Sequence, residues 1–466
     1  MQVTVIGTGY VGLVTSACLA HLGHSVVGLD NDPEKVRSLQ AGRAPFFEPD
    51  LQPLLESELG KGRLRFTDQY REAIPEAEAV FICVGTPSGP DGRADMKFVQ
   101  AAARSVGEHL GPHYTVLINK STVPIGSGDW VGMLVRQGVA RRATAGARPQ
   151  TQAAPSGGIA VLTGPEESEV SFDVVSNPEF LREGTAIQDA LNPDRIVVGV
   201  DDERAIARMK ELYRPLLERN AAEGRAVPFV VMDRASAEMV KYAANAFLAT
   251  KISFINEVAN LCERVGANVE EVAQGIGLDR RIGSAFLRAG IGWGGSCFPK
   301  DLASLAHTAR EYGCETRLLD AARDVNAAQR WIVVRKLQDQ LKRIQGKTLA
   351  LWGLAFKPGT DDLRDAPALE IGARLLELGA EVRAYDPEAG EAARRRDLGF
   401  DICSSALEAA RDADAVVLLT EWPEFRETDW VALRDVMRRP LIVDGRNTLD
   451  RATLLWHGFE YCGVGR

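Results

Sequence analysis

The sequence has 466 residues, more than one hydrophobic core ordinarily serves, so two or three domains are expected. Its 45% apolar and 26% charged residues are those of an ordinary soluble globular protein. A net charge of −9 excludes a general nucleic-acid binder, which needs a positive surface field, yet leaves room for a small anionic ligand held by a few local cations.

Taken in chain order, Gln2–Ile6 reads as a strand, Tyr10–Leu22 as a helix and His24–Leu29 as the next strand. Further strands are expected at Ala79–Val84, Thr115–Asn119, Val174–Ser176 and Ile196–Val200. Such alternation calls for a parallel sheet covered on both faces. Residues 138–169, rich in Ala, Arg, Gly, Pro, Thr and Ser with weak periodicity, read as a mobile surface insertion. A long helical pattern follows from Ala235 to about Val265, carrying Met239, Tyr242, Phe247, Ile252, Ile255, Val258 and Leu261. It suits a spine between domains and a dimer face. A second α/β unit begins near Gly346, with strands at Thr348–Trp352, Glu381–Tyr385, Ala415–Leu419 and Leu441–Val443. Its first helix, Ala366–Leu378, ends at Gly379 as C-cap.

The expected fold is therefore α/β: two Rossmann-like domains with parallel sheets, joined by a long central helix and a helical middle domain. The boundaries fall at 1–234, 235–345 and 346–466. No apolar run approaches the roughly 20 residues of a membrane span, and no basic and apolar leader opens the sequence. The seven cysteines are scattered and form no CxxC pair, which reads as free thiols in a reducing, cytoplasmic setting. His109 and His113 are separated by Gly111-Pro112, so no helix face joins them and no metal is expected.

Gly7-Thr8-Gly9-Tyr10-Val11-Gly12 fits GxGxxG between a strand and a helix. Gly7 permits the tight turn, Gly9 lets a pyrophosphate approach the backbone, and Gly12 lets the helix pack on the sheet. The helix N-terminus offers its N–H groups to phosphate. Asp30 ends the next strand at the spacing where a carboxylate binds ribose hydroxyls and repels a 2′-phosphate, favouring NAD over NADP. Lys35 taken alone is a solvated helix residue.

Asn177-Pro178-Glu179-Phe180-Leu181-Arg182-Glu183-Gly184 puts two carboxylates in a turn after a strand. That is an acid/base site or, equally, a helix N-terminus with dipole-compensating acids. Lys241 and Asn245 share one helix face, an ammonium and an amide suited to a developing oxyanion. From spacing alone they are ordinary polar residues. The most informative stretch is Gly294-Gly295-Ser296-Cys297-Phe298-Pro299-Lys300-Asp301. Pro299 suits a helix first turn, which places Cys297 just before the N-terminus, where the dipole and Lys300 favour thiolate. A free cysteine by itself is a small buried hydrophobe; Lys300 and Asp301 beside it argue for chemistry.

These residues, with Val84-Gly85-Thr86-Pro87, Ser121-Thr122-Val123-Pro124, Ala355-Phe356-Lys357-Pro358, Thr360-Asp361-Asp362-Leu363-Arg364 and Asp444-Gly445-Arg446-Asn447, resemble in order those of the UDP-glucose/GDP-mannose dehydrogenase family. The NPEFLREG and SCFPKD forms resemble the members acting on UDP-glucose more than those acting on UDP-N-acetylmannosamine. Residues 138–169 depart from the family in length and composition.

The resemblance implies an NAD-dependent four-electron oxidation of UDP-glucose to UDP-glucuronate through a thiohemiacetal and a thioester on Cys297; the alternative is the same chemistry on GDP-mannose or a UDP-N-acetylhexosamine. It implies that Lys241 and Asn245 stabilise oxyanions, that Asp301 holds the water or lysine network, and that Glu179 with Thr122 activates the hydrolytic water. The NAD site would comprise Gly7, Gly9, Tyr10, Val11, Gly12, Asp30, Lys35, Thr86, Thr122, Glu183, Lys300 and Arg364. The sugar nucleotide would be held by Glu179, Phe180, Leu181, Arg182, Glu183, Lys241, Asn245, Arg281, Phe286, Gly294, Lys357 and Arg446, with Arg281 reaching a second subunit of a homodimer or larger homo-oligomer. Two rivals remain: a single-step hydroxyacid-type dehydrogenase, which needs no thiol, and a nucleotide-sugar sensor that consumes no NAD.

Overall fold

Short, β-branched apolar runs become the central strands of two sheets. The structure, a computed structural model, describes residues 1–89, 91–146 and 170–466. It comprises two compact units, Met1–Lys241 and Tyr242–Arg466.

In the first unit eight strands form one sheet. They are β1 (Gln2–Ile6), β2 (Ser25–Leu29), β3 (Leu64–Thr67), β4 (Ala79–Ile82), β5 (Thr115–Asn119), β6 (Phe172–Ser176), β7 (Ile196–Gly199) and β8 (Phe229–Met232). Their order is β3-β2-β1-β4-β5-β6-β7-β8. Alternate residues of β4 enter different cores: Ala79 and Phe81 one, Val80 and Ile82 the other. A sheet buried on both faces has this pattern, which is why its strands read as unbroken apolar runs. The β6–β7 pairing is antiparallel, through Ser176 and Gly199. The intervening segment holds only the six-residue helix Ala186–Leu191.

The second unit has a six-stranded sheet. Its strands are β9 (Thr348–Trp352), β10 (Glu381–Tyr385), β11 (Asp401–Ile402), β12 (Ala415–Leu418), β13 (Leu441–Asp444) and β14 (Glu460–Cys462). They pair in parallel, in the order β11-β10-β9-β12-β13-β14. Both sheets thus reverse direction beside their first strand, the point where α/β folds receive ligands at the C-terminal strand ends. The α/β class with two Rossmann-type sheets is as expected. The helices Val269–Gly277, Phe298–Glu311, Arg317–Gln329 and Ile332–Leu341 lie in this same unit. The long helix spans Arg234–Val265, about 48 Å at 1.5 Å per residue.

Four strands escape sequence reading: β3, β8, β11 and β14. They are the four edges of the two sheets. Edge strands are short and only half covered, so their apolar signal is weak.

The expected insertion is corrected at its start. Helix Ser127–Gly146 runs through residues 138–146; residues 147–169 lie outside those described. Gly138 is a helix-crossing residue, since a Cβ there would lie 2.2 Å from the Arg104 carbonyl oxygen. Opposite it, a Cβ on Gly107 of helix Lys97–His109 would lie 2.1 Å from the Val135 carbonyl oxygen. Small residues that let two helices touch carry no apolar periodicity, which hid this helix.

Replacing a helical Gly by Ala ordinarily stabilises by about 1 kcal/mol. Here the clash reverses the sign: Gly107→Ala is expected to cost about 1–3 kcal/mol, read as a lower urea midpoint. A raised midpoint would refute the close crossing.

Candidate active site

At the end of β1 the chain turns at Gly7, whose φ is +89°, a left-handed value costly for a side chain. A Cβ on Gly12 would lie 1.8 Å from the Gly7 carbonyl oxygen, so only glycine lets helix Tyr10–His21 start there. Around a Cβ on Gly9 nothing lies within 4 Å. The helix carries no acid in its first turn. Open space over a glycine at an uncharged helix N-terminus fits a dinucleotide pyrophosphate. Asp30 closes the turn from below: its Oδ2 accepts from Thr8 N (2.8 Å), Thr8 Oγ1 (2.7 Å) and Lys35 Nζ (3.0 Å). Burial raises its carboxyl, but the Thr8 donors and Lys35 outweigh this and leave it below the ordinary value. Lys35, read from sequence as a solvated residue, is thus ion-paired to the ribose carboxylate candidate. The Thr86 hydroxyl donates to the Thr122 carbonyl at 2.7 Å, joining two expected cofactor residues. Val11 is half-buried, and Tyr10 lies near enough to Glu183 to feel its charge.

In the 177–184 turn, Glu179 and Lys241 form a buried ion pair at 2.7 Å, each side chain 6% exposed. Glu179 also accepts from Leu181 N at 2.7 Å. Burial pushes the Glu179 carboxyl up, but the Lys241 ammonium, the Leu181 N–H and the Lys120 charge prevail and hold it below its usual range. The Lys241 ammonium lies 5.7 Å from the Phe180 ring centre, whose face Arg195 covers at 3.8 Å. Lys241 and Thr122 line one small cavity at the ends of β5 and β6, together with Lys120, Ser176 and Glu238. Sequence reading missed Lys120 and Glu238. Lys120 donates to Asn177 at 3.1 Å; Glu238 accepts from Gly126 N, Gly128 N and Ser176 Oγ. The Lys-Ser-Thr run offered no periodic signal, and Glu238 looked like one more helix acid.

In the second unit Cys297 immediately precedes helix Phe298–Glu311, with Pro299 in its first turn. The thiol is half-buried, 3.7 Å from Ser296 Oγ. The 1% exposed Asp301 gathers two further expected residues: Oδ2 accepts from Asn245 Nδ2 at 2.6 Å and Oδ1 from Lys300 Nζ at 2.6 Å. Phe286, at φ +63°, packs 6.4 Å from Phe298, which also meets Trp293 edge-on.

Several expected ligand residues are engaged within the protein. Arg182 grips Asp189 through Nε (3.0 Å) and Nη2 (2.6 Å). Arg281, 88% exposed, pairs with Asp279, and Arg364 with Asp362. Lys357 lies 5.4 Å from the Phe356 ring. Arg446 donates to the carbonyls of Leu419 (2.8 Å), Gly292 (3.0 Å) and Phe356 (3.2 Å), which makes it a loop staple. Gly294 is glycine for a structural reason too: a Cβ would lie 2.1 Å from the Asp365 carbonyl oxygen. Among the described residues no His/Cys/Asp/Glu group could hold a metal, and no helix is long and apolar enough to cross a membrane.

Comparison with known proteins gives three family-model matches: the UDP-glucose/GDP-mannose dehydrogenase family NAD binding domain over residues 1–217, its central domain over 235–328 and its UDP binding domain over 350–451. The UDP-glucose 6-dehydrogenase of Rhizobium meliloti (strain 1021) is 46% identical over 470 residues, covering 100% of both chains. UDP-glucose 6-dehydrogenase TuaD of Bacillus subtilis (strain 168) is 44% identical, over 100% of this chain and 93% of its own. Among solved structures, a UDP-glucose dehydrogenase from Pyrobaculum islandicum superposes with TM-score 0.84 at 37% identity, over 99% of this chain and 97% of its own.

Removing one partner of a buried ion pair strands the other. Lys241→Met is expected to cost about 3–5 kcal/mol of stability at pH 7. Because the folded Glu179 carboxyl titrates below its unfolded value, its contribution is full above about pH 4.3 and is lost as pH falls through the folded value. The gap between wild type and variant should therefore narrow on acidification in urea unfolding; a gap that widens contradicts the ion pair.

Proposed function

The chain belongs to the UDP-glucose/GDP-mannose dehydrogenase family, and from that membership we propose that it oxidises C6 of UDP-glucose to the carboxylate of UDP-glucuronate through Cys297. It is an NAD-dependent enzyme by its family and its NAD binding domain. The observation that carries the reading is Asp301, in the turn of helix that follows the half-buried thiol, whose buried carboxylate holds Lys300 of that turn and Asn245 of the long helix. The full-length relatives named UDP-glucose 6-dehydrogenase support the choice of sugar.

The Gly7–Gly12 turn and Asp30 would hold NAD, which would supply the hydride acceptor for each of the two oxidations. Loss of the first hydride and the hydroxyl proton turns the C6 alcohol into an aldehyde. An aldehyde carbon is planar, and a second hydride departs readily only from a tetrahedral one. Cys297 Sγ supplies that geometry by adding to the carbonyl carbon, giving a thiohemiacetal. Loss of the second hydride and the hemiacetal proton leaves a thioester. Water then adds, the C–S bond breaks, and the thiol is regenerated with the carboxylate. Sulfur suits both halves of this cycle, as nucleophile and as leaving group. The amide of Asn245 and the ammonium of Lys241 are donors for the oxygen as it gains charge. Glu179, held ionised by Lys241, with Thr122, is the base for the hydrolytic water. Asp301 keeps Lys300 and Asn245 in place.

The chain divides by role into a cofactor segment (1–234), a thiol-bearing helical segment (235–345) and a sugar-nucleotide segment (346–466). We assign a homo-oligomer to it as well. Phe247, Phe254 and Leu261, each more than half exposed, recur every seven residues on the long helix. Seven residues are two helical turns, so the three share one face. Light scattering on the full chain should report a dimer or larger, and Phe254→Glu a smaller species; a wild-type monomer at micromolar concentration removes this assignment.

Two NADH per UDP-glucose are expected from the wild type. Cys297→Ser should lose nearly all turnover while retaining cofactor binding. One NADH per sugar would favour a single-step dehydrogenase, and binding of both ligands without NADH a sensor. A panel of UDP-glucose, GDP-mannose and UDP-N-acetylhexosamines decides the sugar.

A further inference from the structure

Beside the glycine turn lies a second buried carboxylate, that of Glu48. It lies between helices Pro33–Gln40 and Leu51–Gly60 in a stretch without regular structure, and it is 5% exposed. Its Oε2 accepts from the Tyr10 hydroxyl and from Gly184 N (2.6 Å), and its Oε1 from Ala186 N (2.7 Å). Two segments distant in sequence therefore converge on one side chain. Tyr10 is the residue after Gly9, at the first position of the glycine-turn helix. Gly184 and Ala186 flank Thr185, the N-cap of helix Ala186–Leu191, directly after Glu183. The Tyr10 ring is held on its other side by Phe46, with centroids 5.0 Å apart.

We propose that Glu48 is a positioning residue of the cofactor site, fixing the glycine turn and the Glu183 segment at one separation. The proposal rests on the reading that Tyr10 and Glu183 border the NAD. A carboxylate accepts on both of its oxygens at once, whereas an amide of the same shape accepts on one atom only. Glutamine would accept through one oxygen and turn its NH2 toward an N–H, leaving a buried donor unpaired. Aspartate is a methylene shorter and cannot reach both Tyr10 and the Gly184–Ala186 backbone. The phenol itself stays protonated: burial, then the bond to Glu48 and the charges of Glu48 and Glu183, all push its ionisation up. It remains a donor across the working pH range. Gly184, at φ +83°, makes the turn that presents its N–H to the carboxylate.

The test measures NAD affinity of the full chain directly, beside steady-state kinetics. Loss of a charge-assisted buried hydrogen bond predicts that Glu48→Gln weakens NAD binding roughly tenfold or more. The KM for the sugar nucleotide should change by a clearly smaller factor, since of the two segments that Glu48 holds only the Glu183 segment is also expected at the sugar nucleotide. Tyr10→Phe should weaken NAD less. The double variant should bind NAD no worse than Glu48→Gln alone, because both changes break one network. A purely structural glutamate would lower thermal stability and leave the split between NAD and sugar parameters unmoved. Unchanged NAD affinity in a folded Glu48→Gln, or strictly additive effects of the two substitutions, overturns the proposal. Should Glu48→Gln fail to fold, an unchanged NAD affinity in Tyr10→Phe overturns it as well. Asp30→Ala separates the levels: if it too leaves NAD affinity intact, the cofactor-site reading fails, not only the role of Glu48.

Discussion

A carboxylate removed from water must be met by donors or become protonated, and this constraint organises the candidate sites of both units. Asp30 takes the donors of Thr8 and Lys35, Glu179 takes Lys241 and Leu181 N, and Asp301 takes Asn245 and Lys300. Each anion fixes side chains that would otherwise sample many rotamers. Ordering them during folding leaves less to order during turnover, which is how a preorganised site lowers a barrier.

The two sheets repeat one strand order, but the acid at the end of the second strand is used differently. Asp30 holds one residue of the glycine turn and an ammonium. Asp386, at the end of β10, accepts from Leu354 N, Ala355 N and Trp422 Nε1 on one oxygen, and from Glu388 N and Ala389 N on the other. With no GxGxxG after β9, the second sheet lacks the glycine turn that makes the first a dinucleotide site. Its loops are tied together instead by Arg446, whose guanidinium spans three carbonyls.

The surroundings of Cys297 illustrate how tertiary contacts revise a local reading. From sequence, Lys300 was the nearest cation and so the natural partner of a thiolate. In the fold its ammonium is directed at Asp301. The sulfur itself sits ahead of a 14-residue helix with Pro299 in the first turn.

The sequence by itself determined the central strands, the glycine turn, the long helix and the candidate residues around Cys297, because each rests on local rules: period-two burial, φ sign at glycine, proline at a helix start. Only the tertiary structure decided which anions meet which cations. Glu179 finds Lys241 across 62 positions, Asn245 finds Asp301 across 56, and Glu48 reaches Gly184 across 136. No periodicity links residues so far apart; the pairing follows from how the strands order and the loops close. Edge strands and the Gly107–Gly138 crossing were hidden for the same reason, since their stability comes from a neighbour and not from their own pattern.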